Sequence, residues 1–120
     1  MNKTLQQLYK QQEELNQKIA KEESKKVKWT KIGNLEWSED LGRMDWDEAK
    51  KKCEKLGGRL PTRIELLDLY DNHHEKCVDW SNYYWSSTEY SGTNAWAQNF
   101  STGTQHGSTK TYATYVRCVR

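Results

Sequence analysis

Apolar residues in the first 27 positions recur at a spacing that predicts a self-associating helix. The steps of three, four, three and four residues are those of a coiled-coil seam, formed by Leu5, Leu8, Gln12, Leu15 and Ile19. The remaining faces are polar, so this helix has too little apolar surface to be stable alone. We therefore expect residues 1–27 to be a coiled-coil oligomerisation helix. A polar seam residue such as Gln12 usually fixes the register and the oligomer number, and we favour a homotrimer over a dimer. A surface helix packed on its own domain is the alternative.

The pattern changes after residue 27, where short apolar runs alternate with turn residues. Val27 to Trp37 predicts two short strands around Gly33-Asn34, a dipeptide typical of hairpin turns. Further strands are predicted towards the end of the chain, in the stretches YYWSST, NAWAQNF and TYVRCVR. Residues 28–120 are therefore expected to form an α+β domain in which helices pack on a twisted antiparallel sheet.

Two helices are predicted between the hairpin and the last strands. Asp45 and Thr62 stand at N-cap positions, each followed three residues later by a glutamate, as in a capping box. The expected inward residues are Trp46, Ala49, Cys53 and Leu56 in the first helix, which Gly57-Gly58 ends, and Leu66, Leu67 and Tyr70 in the second. In the last strand, Cys118 alternates with its neighbours and shares a face with Val116.

Charge is distributed unevenly along the chain. Charged residues make up 30% of the sequence, yet between Trp80 and Tyr115 only Glu89 and Lys110 are charged. The net charge of +2 is too small to indicate a nucleic-acid partner. No apolar run approaches the ~20 residues that cross a bilayer, so we expect no membrane insertion. The N-terminus shows no signal peptide, and we expect synthesis in the cytoplasm.

Residues with catalytic or metal-binding potential do not form a known pattern. His73, His74, Glu75 and Cys77 lack the ligand spacing of a zinc site. No Ser-His-Asp triad or carboxylate pair stands out, and His106 in a polar loop is expected to be a surface or ligand contact. We therefore expect no enzyme activity, no metal and no cofactor. The three cysteines allow at most one disulfide.

Four motifs, GGRLPTRIELLDL, YWSSTEY, NAWAQNF and YVRCVR, together resemble one family. It is that of the C-terminal domains of bacterial collagen-like adhesins (the Lcl C-terminal domain), and the resemblance covers about residues 28–120. It implies a C-type-lectin-like fold, in which Cys53 and Cys118 match a helix-to-last-strand disulfide; buried thiols are the alternative. The calcium-binding loop of that fold is not matched, because the only proline is Pro61. Formylglycine-generating enzymes share the fold but use two cysteines near the chain end, where this chain has only Cys118.

The chain is also similar to variable proteins of diversity-generating retroelements, which occur in phage and gut bacteria. In those proteins a framework is kept while the residues between are changed by adenine-directed mutagenesis. The similarity implies framework roles for Tyr84, Trp85, Ser86, Ser87, Trp96, Phe100, Tyr115 and Arg117. It implies variable, ligand-binding positions at Tyr90, Ser91, Thr93, Asn94, Gln98, Asn99, Ser101, Thr102, Thr104, Gln105, His106, Ser108, Thr109, Thr111, Tyr112 and Thr114.

The composition of these positions supports a recognition surface independently of the family. Tyrosine provides large contact area at low entropy cost, and Ser, Thr and Asn provide adaptable hydrogen bonds. We therefore expect a ligand- or receptor-binding variable protein of a phage tail tip or cell surface, diversified by a retroelement. Its expected partners are further copies of itself in a homotrimer and a protein or glycan receptor on a cell. A bacterial surface adhesin of fixed sequence that binds glycan or matrix is the alternative.

Overall fold

The computed structural model describes residues 5–120, with the side chains at positions 6 and 19–25 left out of the description. Its helices are α1 (Leu5–Lys26), α2 (Trp46–Lys55) and α3 (Arg63–His73), and a short 3-10 turn follows at His74–Lys76. Its strands are β1 (Trp29–Ile32), β2 (Leu35–Ser38), β3 (Arg43–Met44), β4 (Tyr83–Glu89), β5 (Asn94–Asn99), β6 (Gln105–Thr109) and β7 (Thr114–Tyr115). The α+β class expected from the sequence is confirmed.

The N-terminal helix α1 presents its apolar residues to solvent. Leu5, Leu8 and Leu15 are 64%, 49% and 50% exposed, and Gln12 donates a hydrogen bond to Asn16 one turn later. The side chain of Ile19, the last predicted seam position, lies outside the described residues. The predicted coiled coil stays a prediction.

The predicted hairpin is confirmed, with β1 and β2 paired antiparallel from Trp29 opposite Ser38 to Ile32 opposite Leu35. Its turn uses Gly33 at φ +64°, a left-handed conformation that glycine adopts without strain. The C-terminal segment is hydrogen-bonded to β2, since the backbone N–H of Ser38 donates to the carbonyl of Cys118 at 2.9 Å.

Both predicted helix starts are confirmed. The Asp45 side chain accepts from the backbone N–H of Glu48, and Thr62 forms a full capping box with Glu65. The predicted inward face of α3 needs one correction, because Leu66 and Leu69 are the buried residues whereas Leu67 is half-buried. The helix presents its i and i+3 positions to the core, and Leu67 lies beside that stripe.

The larger sheet has five strands in the order β3-β7-β4-β5-β6, with β6 at one edge. The expectation of an antiparallel sheet needs a correction, because β4 and β7 pair parallel, with Tyr84 opposite Tyr115, while the other pairs are antiparallel. The sequence did not predict β6, because Gln105–Thr109 contains only polar residues and glycine. The predicted last strand is shorter than expected: only Thr114–Tyr115 belongs to the sheet. Beyond it, Val119 forms isolated bridges to Trp37 and Arg59 instead.

The helices α2 and α3 contribute to two different core clusters. The α2 cluster contains Trp46, Ala49, Cys53, Leu60, Trp85, Ala95, Ala97, Val116 and Cys118. The α3 cluster contains Leu66, Leu69, Trp80, Tyr84, Phe100 and Val119, together with Ile32, Trp37 and Cys77. Cys53 and Cys118 form a disulfide with a Cα–Cα distance of 5.4 Å, as the resemblance implied. This bond joins α2 to the chain end, so it anchors the last residues beneath the sheet.

Candidate ligand-binding surface

The polar surface of residues 90–114 is supported by the antiparallel pair β5 and β6. Their register runs from Asn94 opposite Thr109 to Gln98 opposite Gln105. The turn between them requires Gly103, which has φ +79° and lies against Tyr70, where a Cβ atom would collide with the ring. The turn between β5 and β6 therefore packs against Tyr70 of α3, and this contact fixes the position of the edge strand β6 relative to that helix.

The predicted framework residues lie in or against the core. Tyr84, Trp85, Ser86 and Phe100 are buried, and Ser87, Trp96, Tyr115 and Arg117 are half-buried. Two of them tie strands together: the Trp85 indole N–H donates to the Met44 carbonyl at 2.9 Å, and the Ser86 hydroxyl donates to the Trp96 carbonyl at 2.7 Å. These bonds fix β4 against β3 and β5 beneath the polar surface.

Arg117 is held between aromatic rings of the α3 cluster. Its guanidinium carbon lies 3.8 Å from the centre of the Trp80 ring and 5.3 Å from that of Tyr84, and it donates to the Ser38 carbonyl at 3.2 Å. The Tyr84 hydroxyl donates to Asp40 at 3.0 Å. Burial raises the pKa of Tyr84, and Arg117 opposes that shift. Arg117 therefore stabilises the aromatic layer under β4.

The predicted variable positions differ widely in exposure. The exposed ones are Tyr90, Ser91, Thr93, Ser101, Thr102, Thr104, His106, Thr111 and Tyr112. Half-buried ones are Asn94, Asn99, Gln105, Ser108 and Thr109. Gln98 is 0% exposed, so the surface-contact role predicted for it is corrected, whereas Thr114 is 9% exposed and contributes to the wall of a cleft described below.

Gln98 belongs to a buried amide network rather than to the surface. Its Nε2 donates to the Gly103 carbonyl at 3.1 Å, and its Oε1 accepts from Gln105 at 2.7 Å. The Gln105 amide also donates to the Arg63 backbone carbonyl and accepts from the Arg63 side chain, at 2.8 and 3.0 Å. Buried amides are stable only when they are satisfied in this way. The network joins the β5–β6 turn to the first residue of α3.

The centre of the surface is an aromatic stack. Tyr90 meets Trp96 edge to face, with ring centres 4.8 Å apart, and the Arg63 guanidinium lies 3.8 Å from the centre of the Trp96 ring. Gly107 leaves room for Tyr90, because a Cβ atom there would lie 2.9 Å from its ring. The contacts with Trp96 and Gly107 thus fix the position of Tyr90, whose side chain remains 58% exposed.

The two charges of this region neutralise each other at its margin. Lys110 lies 3.3 Å from the Glu89 carboxylate, donates to the Gly92 carbonyl at 3.2 Å and stands 4.3 Å from the centre of the Trp46 ring. The lysine ties the loop after β4 to the loop after β6. The ion pair with Glu89 and the hydrogen bond to Gly92 therefore hold the two loops together, while the side chains between the loops are uncharged.

A cleft of about 440 Å³ opens on the sheet face that carries Tyr83 and His106, whose ring centres are 5.9 Å apart. Its wall consists of Arg43, Ser81, Asn82, Tyr83, His106, Ser108, Ala113, Thr114 and Tyr115. The sequence predicted His106, Ser108 and Thr114 as ligand-binding positions, whereas Arg43, Asn82 and Tyr83 were missed. Only the pairing of β3 with β7 brings Arg43 opposite Tyr115, and no local signal indicates that pairing.

Metal and thiol chemistry have little support in this surface. Within residues 5–120 as described, no three His, Cys, Asp or Glu residues are grouped to hold a metal ion. Cys77 is buried outside the disulfide, and burial raises the pKa of its thiol to about 11, which keeps it protonated. No helix in the described part of the chain is long and apolar enough to span a membrane.

Comparison with known proteins identifies one family. The family model of the Lcl C-terminal domain matches residues 18–120, which include the whole α+β domain and residues 18–26 of α1. The match begins inside α1, upstream of the domain boundary expected at residue 28. No curated protein matches the chain.

Proposed function

The chain belongs to the Lcl C-terminal domain family, and from that premise we propose that it is a receptor-binding protein of a phage tail tip or cell surface, diversified by a retroelement. Family membership indicates an adhesin-like or surface-binding protein in general. The finer proposal assigns the fold to the C-type-lectin class and the function to recognition, without catalysis or cofactor. Its partner is a protein or glycan receptor on a cell.

The observation that carries the proposal is a neutral, aromatic surface on a rigid support. Tyr90 and Tyr112 are 58% and 66% exposed, and the positions around them carry hydroxyl and amide groups. Uncharged side chains cost less to desolvate against a ligand than charged ones do. Beneath them, the disulfide, the amide network and the Arg63–Trp96–Tyr90 stack hold the backbone. Exposed side chains can therefore be exchanged without loss of the fold.

The binding test uses two exposed tyrosines and a matched control. Arrays of glycans and cell-surface proteins are probed with the full chain and with Tyr90→Ala and Tyr112→Ala. Either substitution is expected to weaken capture about tenfold or more, as for an aromatic anchor at an interface. Tyr9→Ala, a change at a 67% exposed tyrosine of α1, is expected to leave capture unchanged. Equal capture by all four proteins would refute the assignment of the surface.

We also assign α1 to trimer formation. Its exposed Leu8 and Leu15 lie on the predicted seam, where burial against other copies would remove apolar surface from water. Three linked binding surfaces would strengthen weak contacts through avidity. Sedimentation at micromolar concentration is expected to give a trimer for the natural chain and a monomer for a Leu8→Glu/Leu15→Glu variant. A monomeric natural chain contradicts the assignment.

Retroelement diversification is distinguished from a fixed-sequence adhesin at the DNA level. Sequencing the locus in sibling isolates is expected to show substitutions at adenines, concentrated in the exposed positions of residues 90–112. A reverse-transcriptase gene beside a near-copy of the 3′ coding segment is also expected. Scattered or absent changes would instead favour a bacterial adhesin that binds glycan or matrix.

A further inference from the structure

The cleft beside the tyrosine surface has the chemistry of an acid-binding pocket. We infer that it binds the carboxylate-bearing ring of an acidic sugar, a hexuronate, with Arg43 meeting the carboxylate. The inference rests on the proposed recognition function and names the ligand class for one part of its surface. The cleft volume of about 440 Å³ is in the range of small-molecule sites.

Arg43 supplies a positive charge to the wall of the cleft. Among the described residues that line the cleft there is no Asp or Glu. The Arg43 guanidinium carbon stands 5.9 Å from the centre of the Tyr115 ring, so this ring flanks the guanidinium. A planar guanidinium matches a carboxylate through two parallel hydrogen bonds. A carboxylate is therefore the group that best complements this position.

The rest of the wall favours a sugar ring over an acidic amino-acid side chain. The hydroxyls of Ser81, Ser108 and Thr114 and the amide of Asn82 both donate and accept hydrogen bonds. A polyhydroxylated ligand pairs with such groups, whereas a Glu or Asp side chain would occupy only the donors beside Arg43. The half-exposed ring of Tyr83 offers an apolar face for the C–H side of a pyranose ring.

The position of the cleft also suits a glycan longer than one sugar ring. His106 stands between the two regions: it lines the cleft and lies on β6, one residue from Gly107, over which Tyr90 packs. A glycan with its acidic ring in the cleft could therefore continue across β6 toward the Tyr90 stack. This continuity connects the inferred pocket with the proposed binding surface.

The test compares a sugar that carries the carboxylate with the same sugar without it, and then with two other acids. Nuclear magnetic resonance titrations of the full chain use the methyl glycosides of galacturonic acid, with its carboxylate free, and of galactose. N-acetyl-glutamate α-amide, which has a free side-chain carboxylate, and the methyl glycoside of galactose 6-sulfate follow. Galacturonate is expected to shift the signals of Tyr83, His106 and Ser108 and to bind about tenfold or more tightly than galactose, as a charge-assisted pair provides. Arg43→Met is expected to remove that difference. Lys31→Met, which removes an exposed positive charge on β1, is expected to keep it.

Each other outcome overturns a defined part of the inference. Equal binding of galacturonate and galactose, or a Lys31→Met effect as large as that of Arg43→Met, refutes recognition of a carboxylate in the cleft. Equal binding of acetyl-glutamate amide refutes the sugar, and equal binding of the 6-sulfate refutes carboxylate selectivity. If no acid binds while Tyr90→Ala still weakens capture on the arrays, the pocket is wrong and the proposed function stands. If the arrays also show no Tyr90 dependence, both fail. An unchanged circular dichroism spectrum of Arg43→Met shows that the variant is folded.

Discussion

The amide of Gln98 offers the sharpest test of which residues support the surface and which form it. Gln98 is fully buried, donates to the Gly103 carbonyl at 3.1 Å and accepts from Gln105 at 2.7 Å. Replacement by methionine keeps the volume and removes both hydrogen bonds. Gln105 retains its bond to the Arg63 carbonyl, so the main unsatisfied group is the Gly103 carbonyl.

The structure sets the size of the expected loss. Two hydrogen bonds contribute about 1 kcal/mol each, so Gln98→Met should lower the free energy of unfolding by about 2 kcal/mol. Gln98→Ala adds a cavity and should cost about 3 kcal/mol, which for a domain of this size lowers the melting temperature by about 10–20 °C. Thr111→Ala, at an exposed position of the same region, should change the stability by less than about 0.5 kcal/mol.

Urea unfolding of the oxidised protein, followed by tryptophan fluorescence, measures these differences. A Gln98→Met variant as stable as the natural chain would refute the network. If such a variant also lost ligand capture, Gln98 would be a contact residue, as the sequence similarity implied. Loss of stability with capture retained below the melting temperature supports the structural role.

Two further changes test other parts of the scaffold. Reduction of the Cys53–Cys118 disulfide, which spans 65 residues, should lower the free energy of unfolding by about 4 kcal/mol; an unchanged urea midpoint in dithiothreitol would contradict this. The second change is Glu65→Gln: the hydrogen bond from Arg59, the ion pair and the Thr62 cap hold the pKa of Glu65 below its ordinary value. The charge therefore stabilises the fold above the unfolded pKa of about 4.3, and this contribution is lost as the pH falls through the lower folded pKa. Because Arg59 is half-exposed, Glu65→Gln should cost only about 0.5–1 kcal/mol at pH 7 and nothing at low pH; a difference that persists in acid would contradict the sign.

The sequence predicted the extent of the candidate surface, but one of its predicted contact residues is buried in the structure. The stretch from Tyr84 to Tyr115 was identified from its motifs and its lack of charge, and most of its variable positions are exposed or half-exposed. Gln98 could not be separated from its neighbours, because hydrophobicity does not distinguish a satisfied buried amide from an exposed one. The edge strand β6 was missed for the same reason: polar residues on both of its faces leave no alternation to detect.

The sequence alone determined the features that depend on residues close together in the chain. These are the helical spacing of α1, the capped starts of α2 and α3 and the Gly33 turn, since each depends on residues a few positions apart. The family motifs are likewise visible in the sequence itself. The tertiary structure decided which polar side chains turn inward and that Arg43, Tyr83 and His106 line one cleft. Those placements follow from strand order and register, which bring distant segments together through hydrogen bonds that leave no periodic trace in the sequence.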